Sequence, residues 1–161
     1  MTVGPFLSGG SRLLAPGVFE FVLATELKRA LLTQTFLTLV AVEARRVWEG
    51  LTVAADDGTI AELAGVLGDE LRDTDLLAST ARGTLWLALP DTDTEGSHTV
   101  IDRLVTRVDG YRFSTPVSIA VGAACCPTHA VDAESLMRIA LSRPSLSARR
   151  GVHPARPMDR T

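Results

Sequence analysis

The sequence predicts an α/β fold in which helices pack on a mixed sheet, and three observations predict it. Two short, nearly continuous apolar runs, Phe36 to Val42 (FLTLVAV) and Val117 to Ala124 (VSIAVGAA), read as strands buried on both faces. Around them lie segments whose apolar residues recur every three or four positions, the period of a helix with one buried face. Two further apolar segments, Leu76 to Ser79 and Leu85 to Leu89, are separated by a tight turn and read as a hairpin. With 161 residues, 46% hydrophobic and 22% charged, the chain is long enough to bury the core of one domain without staples.

Each element has its own signal. Residues 1–17, with Gly4, Pro5, Gly9, Gly10, Pro16 and Gly17, read as a flexible leader or linker. From Val18 the pattern turns helical, with Val18, Phe19, Val22, Leu23, Leu27 and Leu31 on one stripe. The run from Phe36 to Val42 follows as the expected central strand. Glu43 to Gly50 (EARRVWEG) is short and charged and reads as a helical turn, from which Leu51 to Ala55 links on. Asp56 or Asp57 then caps a helix from about Gly58 to Leu71, with Ile60, Leu63, Ala64, Leu67 and Leu71 at helical spacing.

After the hairpin, Thr94 or Ser97 opens a helix that buries Val100, Ile101, Leu104, Val105 and Val108, and Gly110 stops it. The strand from Val117 comes next. Asp132 or Ala133 starts a last helix through Leu136, Ile139 and Ala140, which Pro144 kinks or ends. The remainder, SLSARRGVHPARPMDRT, reads as a loose Arg- and Pro-rich tail, with the domain spanning residues 18–148 and the tail proper residues 149–161.

Charge and cysteine content exclude several classes. A net charge of -3 provides no global attraction to a nucleic acid polymer or an anionic membrane, so phosphate binding would need a local cluster. Lys28 is the only lysine, and the remaining basic residues are arginines, whose planar fork suits phosphates and guanine edges. Cys125 and Cys126 are adjacent, which disfavours a structural disulfide and fits small buried residues in a reducing, cytoplasmic setting. No apolar run reaches the ~18 residues of a membrane span, and the first residues lack a signal-peptide layout. His98, His129 and His153 lie far apart with no ligand-spaced neighbours, so no metal is expected. Ser118 and Ser135 lack a triad, Gly9-Gly10 lacks the context of a phosphate loop, and Trp48 and Trp86 read as core or interface residues.

The succession FLTLVAVEA, LRDTDLLASTARGTLWLALPDTD and VSIAVGAACCP, followed by a last helix and Gly151, resembles the GGDEF domain of diguanylate cyclases. The resemblance covers roughly Val18 to Gly151. It implies a mixed, mainly antiparallel central sheet flanked by helices, of the nucleotidyl cyclase-like kind. It also implies that the family's catalytic turn falls on Ala81, Arg82, Gly83, Thr84 and Leu85, where both acidic residues are replaced. The family's first metal-binding aspartate falls on Ala41, with Glu43 and Arg45 after it. Its guanine-reading asparagine falls near Trp48 or Glu49, and a phosphate-binding lysine of the last helix falls on Ala148. Condensing two GTP molecules needs carboxylates that hold Mg²⁺ against the triphosphate. The resemblance therefore implies a domain that is not an enzyme.

A second family motif is present. Arg72-Asp73-Thr74-Asp75 stands at the place of the R-x-x-D inhibitory motif, which in the family binds cyclic di-GMP, and Arg103 falls where the family supplies another arginine. An arginine fork can meet a phosphate or the O6 and N7 edge of guanine, and a carboxylate can accept from N1 and N2. The expectation is a catalytically inactive receptor for cyclic di-GMP that uses Arg72, Asp75 and Arg103 and needs no cofactor. The alternative from another class is a scaffold or dimerisation module that binds a protein partner or a second copy without ligand.

Overall fold

The computed structural model describes residues 13–81, 83–142 and 144–148. The chain begins with β1 (Leu13–Leu14), α1 (Pro16–Thr33), β2 (Leu37–Trp48), β3 (Leu51–Ala54) and α2 (Asp57–Gly68). It continues through the hairpin of β4 (Leu76–Ala81) and β5 (Thr84–Pro90) to α3 (Thr94–Asp109), β6 (Val117–Cys126), α4 (Ala133–Ser142) and β7 (Pro144–Ala148). The strand order is β1-β4-β5-β2-β6-β7, with β3 also paired to β2. Only β1 and β4 run parallel among the described strands, so the sheet is mixed and mainly antiparallel.

β2 is central because its first half is buried on both faces. Val40, Val42 and Ala44 point to one core with Ile60, Leu63 and Leu67 of α2 and Ile101, Leu104 and Val108 of α3. Leu37, Leu39 and Ala41 point to a second core with Phe19, Leu23 and Leu27 of α1 and Leu136 and Ala140 of α4. The period-2 alternation of a strand thus divides one apolar run between two helical layers. Cys125 and Cys126 are buried free thiols, and Trp86 is a core residue.

The helix starts follow from short polar side chains. Asp56 accepts the Thr59 N–H at 2.9 Å, Asp93 that of Gly96 at 2.8 Å, and Asp132 that of Ser135 at 2.9 Å. The hydrogen bonds from Thr59 and from Ser135 hold the Asp56 and Asp132 carboxyls below their ordinary range. Gly110 is the C-cap of α3. No helix among the described residues is long and apolar enough to cross a membrane.

The structure corrects the expectation at four places. The ordered fold starts before residue 18: Leu13 and Leu14 pair with Leu77 and Ala78, and Pro16 opens α1, where its fixed φ and missing N–H fit the first helical turn. Residues 1–12 lie outside the described residues. Leu31 is not on the buried stripe of α1, and Ala30 takes that place. Glu43 to Trp48 continue β2 instead of forming a helical turn, and Arg45 to Trp48 pair with β3 around Glu49 and Gly50, whose φ values of 51° and 79° match a type I′ hairpin. The segment read as a loose tail begins as β7, which pairs Ile119 with Ala148 and Val121 with Leu146. Residues 149–161 lie outside the described residues.

The second half of β2 reads as polar because no helix covers one of its faces: Glu43 and Arg45 are exposed while Ala44 is buried. The Arg46 guanidinium lies 4.9 Å from the Trp48 ring centroid and 3.4 Å from the Asp56 carboxylate, so it ties the β2–β3 hairpin to the start of α2.

Two glycines separate backbone strain from open space. Gly83, in the β4–β5 turn, has φ of +74°, and a Cβ there would lie 3.0 Å from the Ala44 carbonyl oxygen. Gly65, inside α2, has no such neighbour. Urea denaturation is expected to show Gly83→Ala destabilising by about 1–3 kcal/mol. The same measurement should find Gly65→Ala stabilising by roughly 0.4–1 kcal/mol.

Candidate functional site

α2 ends at Gly68, and the chain turns twice before β4, with Leu71 N–H donating to Gly68 O at 3.2 Å and Asp75 N–H to Arg72 O at 3.0 Å. The second turn closes on the Asp75 side chain. Its buried carboxylate accepts the Arg72 backbone N–H at 2.8 Å, Arg72 Nη2 at 2.8 Å and Arg72 Nε at 3.2 and 3.3 Å. This is the two-pronged geometry that arginine makes with a carboxylate. The bond to Asp75 holds the Arg72 guanidinium more firmly cationic than usual, against the opposing effect of partial burial, and Asp91 adds to it.

Arg72 reaches further. Its Nη2 donates to the Pro90 carbonyl at 2.8 Å and to Thr92 Oγ1 at 3.1 Å. Thr92 Oγ1 donates to Pro90 O at 3.0 Å, and Thr92 O accepts from Thr38 Oγ1 at 2.7 Å. Arg72 therefore joins the turn before β4 to the loop after β5, and that loop is bonded to the start of β2. The Arg72 side chain is nonetheless 50% exposed, whereas the carboxylate that orients it is buried.

Arg103, on α3, meets the first of these turns at Glu70. It donates from Nη2 to Glu70 O at 2.8 Å, and its Nε lies 3.4 Å from the Glu70 carboxylate. Arg107, one helical turn on, lies 3.2 Å from the Asp69 carboxylate and 3.6 Å from that of Glu70. The structure thus places Arg72 and Arg103 on one short segment, with the first turned toward Thr92 and the second toward Glu70. Sequence reasoning missed Asp69, Glu70, Thr92 and Arg107. The i, i+4 spacing of Arg103 and Arg107 was a signal, but only the packing of α2 against α3 shows which acids they meet.

The β4–β5 turn is packed against β2. Gly83 O accepts the Ala44 N–H at 2.7 Å, and Ala55 N–H donates to Ala44 O at 3.1 Å, so turn, strand and the start of α2 meet at Ala44. Thr84 and Leu85 are buried, with Thr84 paired to Glu43. Arg82 lies outside the described residues. Ala41 is 1% exposed and sits between Trp86 and Gly122 on the neighbouring strands. Ala148, the position where the resemblance puts a lysine of the family's last helix, stands on β7 opposite Ile119, and α4 stops at Ser142. Among the described residues no three His, Cys, Asp or Glu side chains are grouped so as to hold a metal ion.

No family model matches the sequence, and a search of curated proteins finds no match. Solved structures do match. The GGDEF domain of YfiN (TpbB) from Pseudomonas aeruginosa superposes with a TM-score of 0.70 at 22% identity, over 81% of this chain and 86% of that one. The fold is that of a GGDEF domain. The FimX GGDEF domain from Pseudomonas aeruginosa gives a TM-score of 0.71 at 15% identity, over 86% of this chain and 90% of that one. The DgcB GGDEF domain from Caulobacter crescentus, solved in complex with c-di-GMP, gives 0.67 at 14% identity, over 88% of this chain and 86% of that one. The GGDEF fold accounts for the mixed sheet and its four flanking helices.

The forked bonding of Arg72 has a measurable consequence. Arg72→Lys keeps the charge but cannot reach Asp75, Pro90 and Thr92 together, and is expected to lower stability by about 1–3 kcal/mol. Arg103→Lys replaces a surface ion pair and should change it by less than about 1 kcal/mol. Thermal and urea melts of the two variants side by side check the difference.

Proposed function

We propose that this GGDEF-fold domain is a catalytically silent receptor for cyclic di-GMP, bound at the surface formed by Arg72 and Arg103, with the buried Asp75 holding Arg72 in place instead of meeting a guanine edge itself. The observation that carries the reading is the buried Asp75 carboxylate, which fixes the half-exposed Arg72 guanidinium through two of its nitrogens. A guanidinium held this way loses little side-chain freedom when it meets an anion, so more of the interaction appears as affinity. Arg103 contributes a second cation on the same segment. It holds Glu70 by one hydrogen bond to the carbonyl oxygen and one surface ion pair, and the ion pair is weak enough for a phosphate to replace. The similar DgcB domain solved with c-di-GMP supports the choice of ligand.

The reading of catalytic silence is supported by what stands along β2 and the hairpin. Diguanylate cyclase chemistry needs carboxylates beside Mg²⁺ and the triphosphate. The carboxylate positions carried over from the family hold Ala41, packed against Trp86, and Gly83 and Thr84 of the hairpin turn, of which Thr84 is buried. Glu43 stands alone on the exposed stretch of β2.

The second reading, a ligand-independent interaction module, is favoured by Phe21 and Leu32 on α1, which are 73% and 84% exposed and eleven residues apart, hence on one helix face. The similar diguanylate cyclase SiaD from Pseudomonas aeruginosa was solved with its activator SiaC, although this chain spans only 56% of that one.

Isothermal titration with cyclic di-GMP separates the readings. Binding by the wild type, weakened about tenfold or more in Arg72→Ala and in Arg103→Ala, is the expected result. An absence of heat at high micromolar ligand, or unchanged affinity in Arg72→Ala, overturns the receptor reading. Incubation with GTP and Mg²⁺ is expected to yield no cyclic product, and turnover above a no-protein control overturns catalytic silence.

A further inference from the structure

A cavity of about 380 Å³ lies in the connection between α3 and β6, within the ~300–1,000 Å³ range of binding sites. Asp109, Tyr111, Arg112, Phe113, Thr115 and Pro116 line it. Phe113 packs against the core shared by α2 and α3, and the Tyr111 ring meets it edge to face, with centroids 4.7 Å apart and planes at 63°. Tyr111 remains 38% exposed. The connection is held at both ends: Gly110 N–H donates to Thr106 O at 3.0 Å and Tyr111 N–H to Val108 O at 3.2 Å, while the Ser114 N–H and hydroxyl donate to the Glu62 carboxylate of α2 at 3.3 and 3.4 Å. The aromatic wall is therefore preformed, and an occupant orders little of the loop on entry.

The chain itself supplies a segment that fits such a wall. After β7 the sequence runs RRGVHPARPMDRT, in which Pro154-Ala155-Arg156-Pro157 is a P-x-x-P motif. Prolines three apart stand on one edge of a polyproline II helix, whose period is three residues, and such helices dock in aromatic-lined grooves. The sheet directs this segment toward the cavity. β7 runs antiparallel to β6, and its last residue, Ala148, stands opposite Ile119, three residues from Pro116. Three strand residues span ~10 Å and the five residues 149–153 reach up to ~17 Å, so Pro154 arrives at the cavity without stretching the chain. The charges match as well: Asp109 and Arg112 line the cavity, and Arg156 and Asp159 accompany the prolines.

We propose that this cavity is a docking site for a polyproline II segment and that Pro154 to Pro157 of the same chain occupy it, with the proline rings against Tyr111 and Phe113. Proline presets the backbone of the segment, so docking costs little conformational entropy. The short tether holds the segment at an effective concentration of the order of millimolar, so it fills even a weak site ahead of a free partner. A proline-rich partner enters only by displacing it. Arg72 and Arg103 do not line the cavity, and the docking is separate from cyclic di-GMP binding.

The test compares the ¹⁵N-labelled full chain with its Pro154→Ala, Pro157→Ala double variant by NMR. Expected are nuclear Overhauser contacts between the Tyr111 ring and the proline rings in the wild type, and displaced Tyr111, Phe113 and Thr115 amides in the variant. A peptide of residues 152–158, VHPARPM, should move those amides of the variant back toward their wild-type positions with a Kd below about 1 mM, and should bind the wild type several-fold more weakly because the site is filled. Adding Tyr111→Ala to the double variant, with folding checked by its melting curve, should abolish the peptide's shifts at Phe113 and Thr115. The proposal is overturned if the amides of wild type and double variant coincide, if the peptide shifts both chains equally, or if the folded Tyr111→Ala chain binds the peptide undiminished. Proline contacts that fade on dilution of the wild type overturn it too, since they place the segment on a second copy.

Discussion

The fold depends on the burial of one strand on both faces. From Leu37 to Val42 every residue of β2 is buried, and its neighbours β5 and β6 pair with it over the same span. A strand so placed cannot slip by one residue, because every side chain would change cores: Leu39 would leave α1 and α4 for α2 and α3. Hairpin register, helix layering and the position of every candidate site residue follow from that constraint.

The same strand explains why the region of the expected catalytic turn is so closed. β2 runs past the end of β5, and β3 pairs with its continuation on the side where β5 has stopped. The Gly83 turn is left against Ala44, with Ala54 and Ala55 within van der Waals reach of any side chain placed there. A positive φ and an absent Cβ are both required for that close approach. The opposite end of the hairpin is tied by charge and hydrogen bonds, through Arg72, Asp75, Pro90 and Thr92. One end of the hairpin is packed by backbone and the other presents a guanidinium, so the two ends suit different roles.

Much of the fold was legible in the residues. The two apolar runs placed β2 and β6, the helical stripes placed α2 and α3, and Asp56 and Gly110 marked helix boundaries as their chemistry predicts. Three of the four errors share one cause. Glu43 to Trp48, Leu13–Leu14 and Pro144–Ala148 are short or marginal strand segments that their backbone pairing defines, not an apolar run long enough to read. Propensity is weak evidence for such segments, since their backbone partners are distant in sequence.

The candidate site divides the same way. Sequence by itself determined which side chains are available: an arginine and an aspartate three apart, an arginine on the next helix, and alanine, glycine and threonine at positions where cyclase chemistry would want carboxylates. Tertiary structure alone decided that Asp75 is buried while Arg72 is half exposed, that Arg72 holds the Thr92 loop, and that Arg103 faces Glu70. The physical reason is that a side chain's chemistry is set by its own atoms. Its protonation, orientation and reach are set by partners that only the folded chain brings within hydrogen-bonding distance.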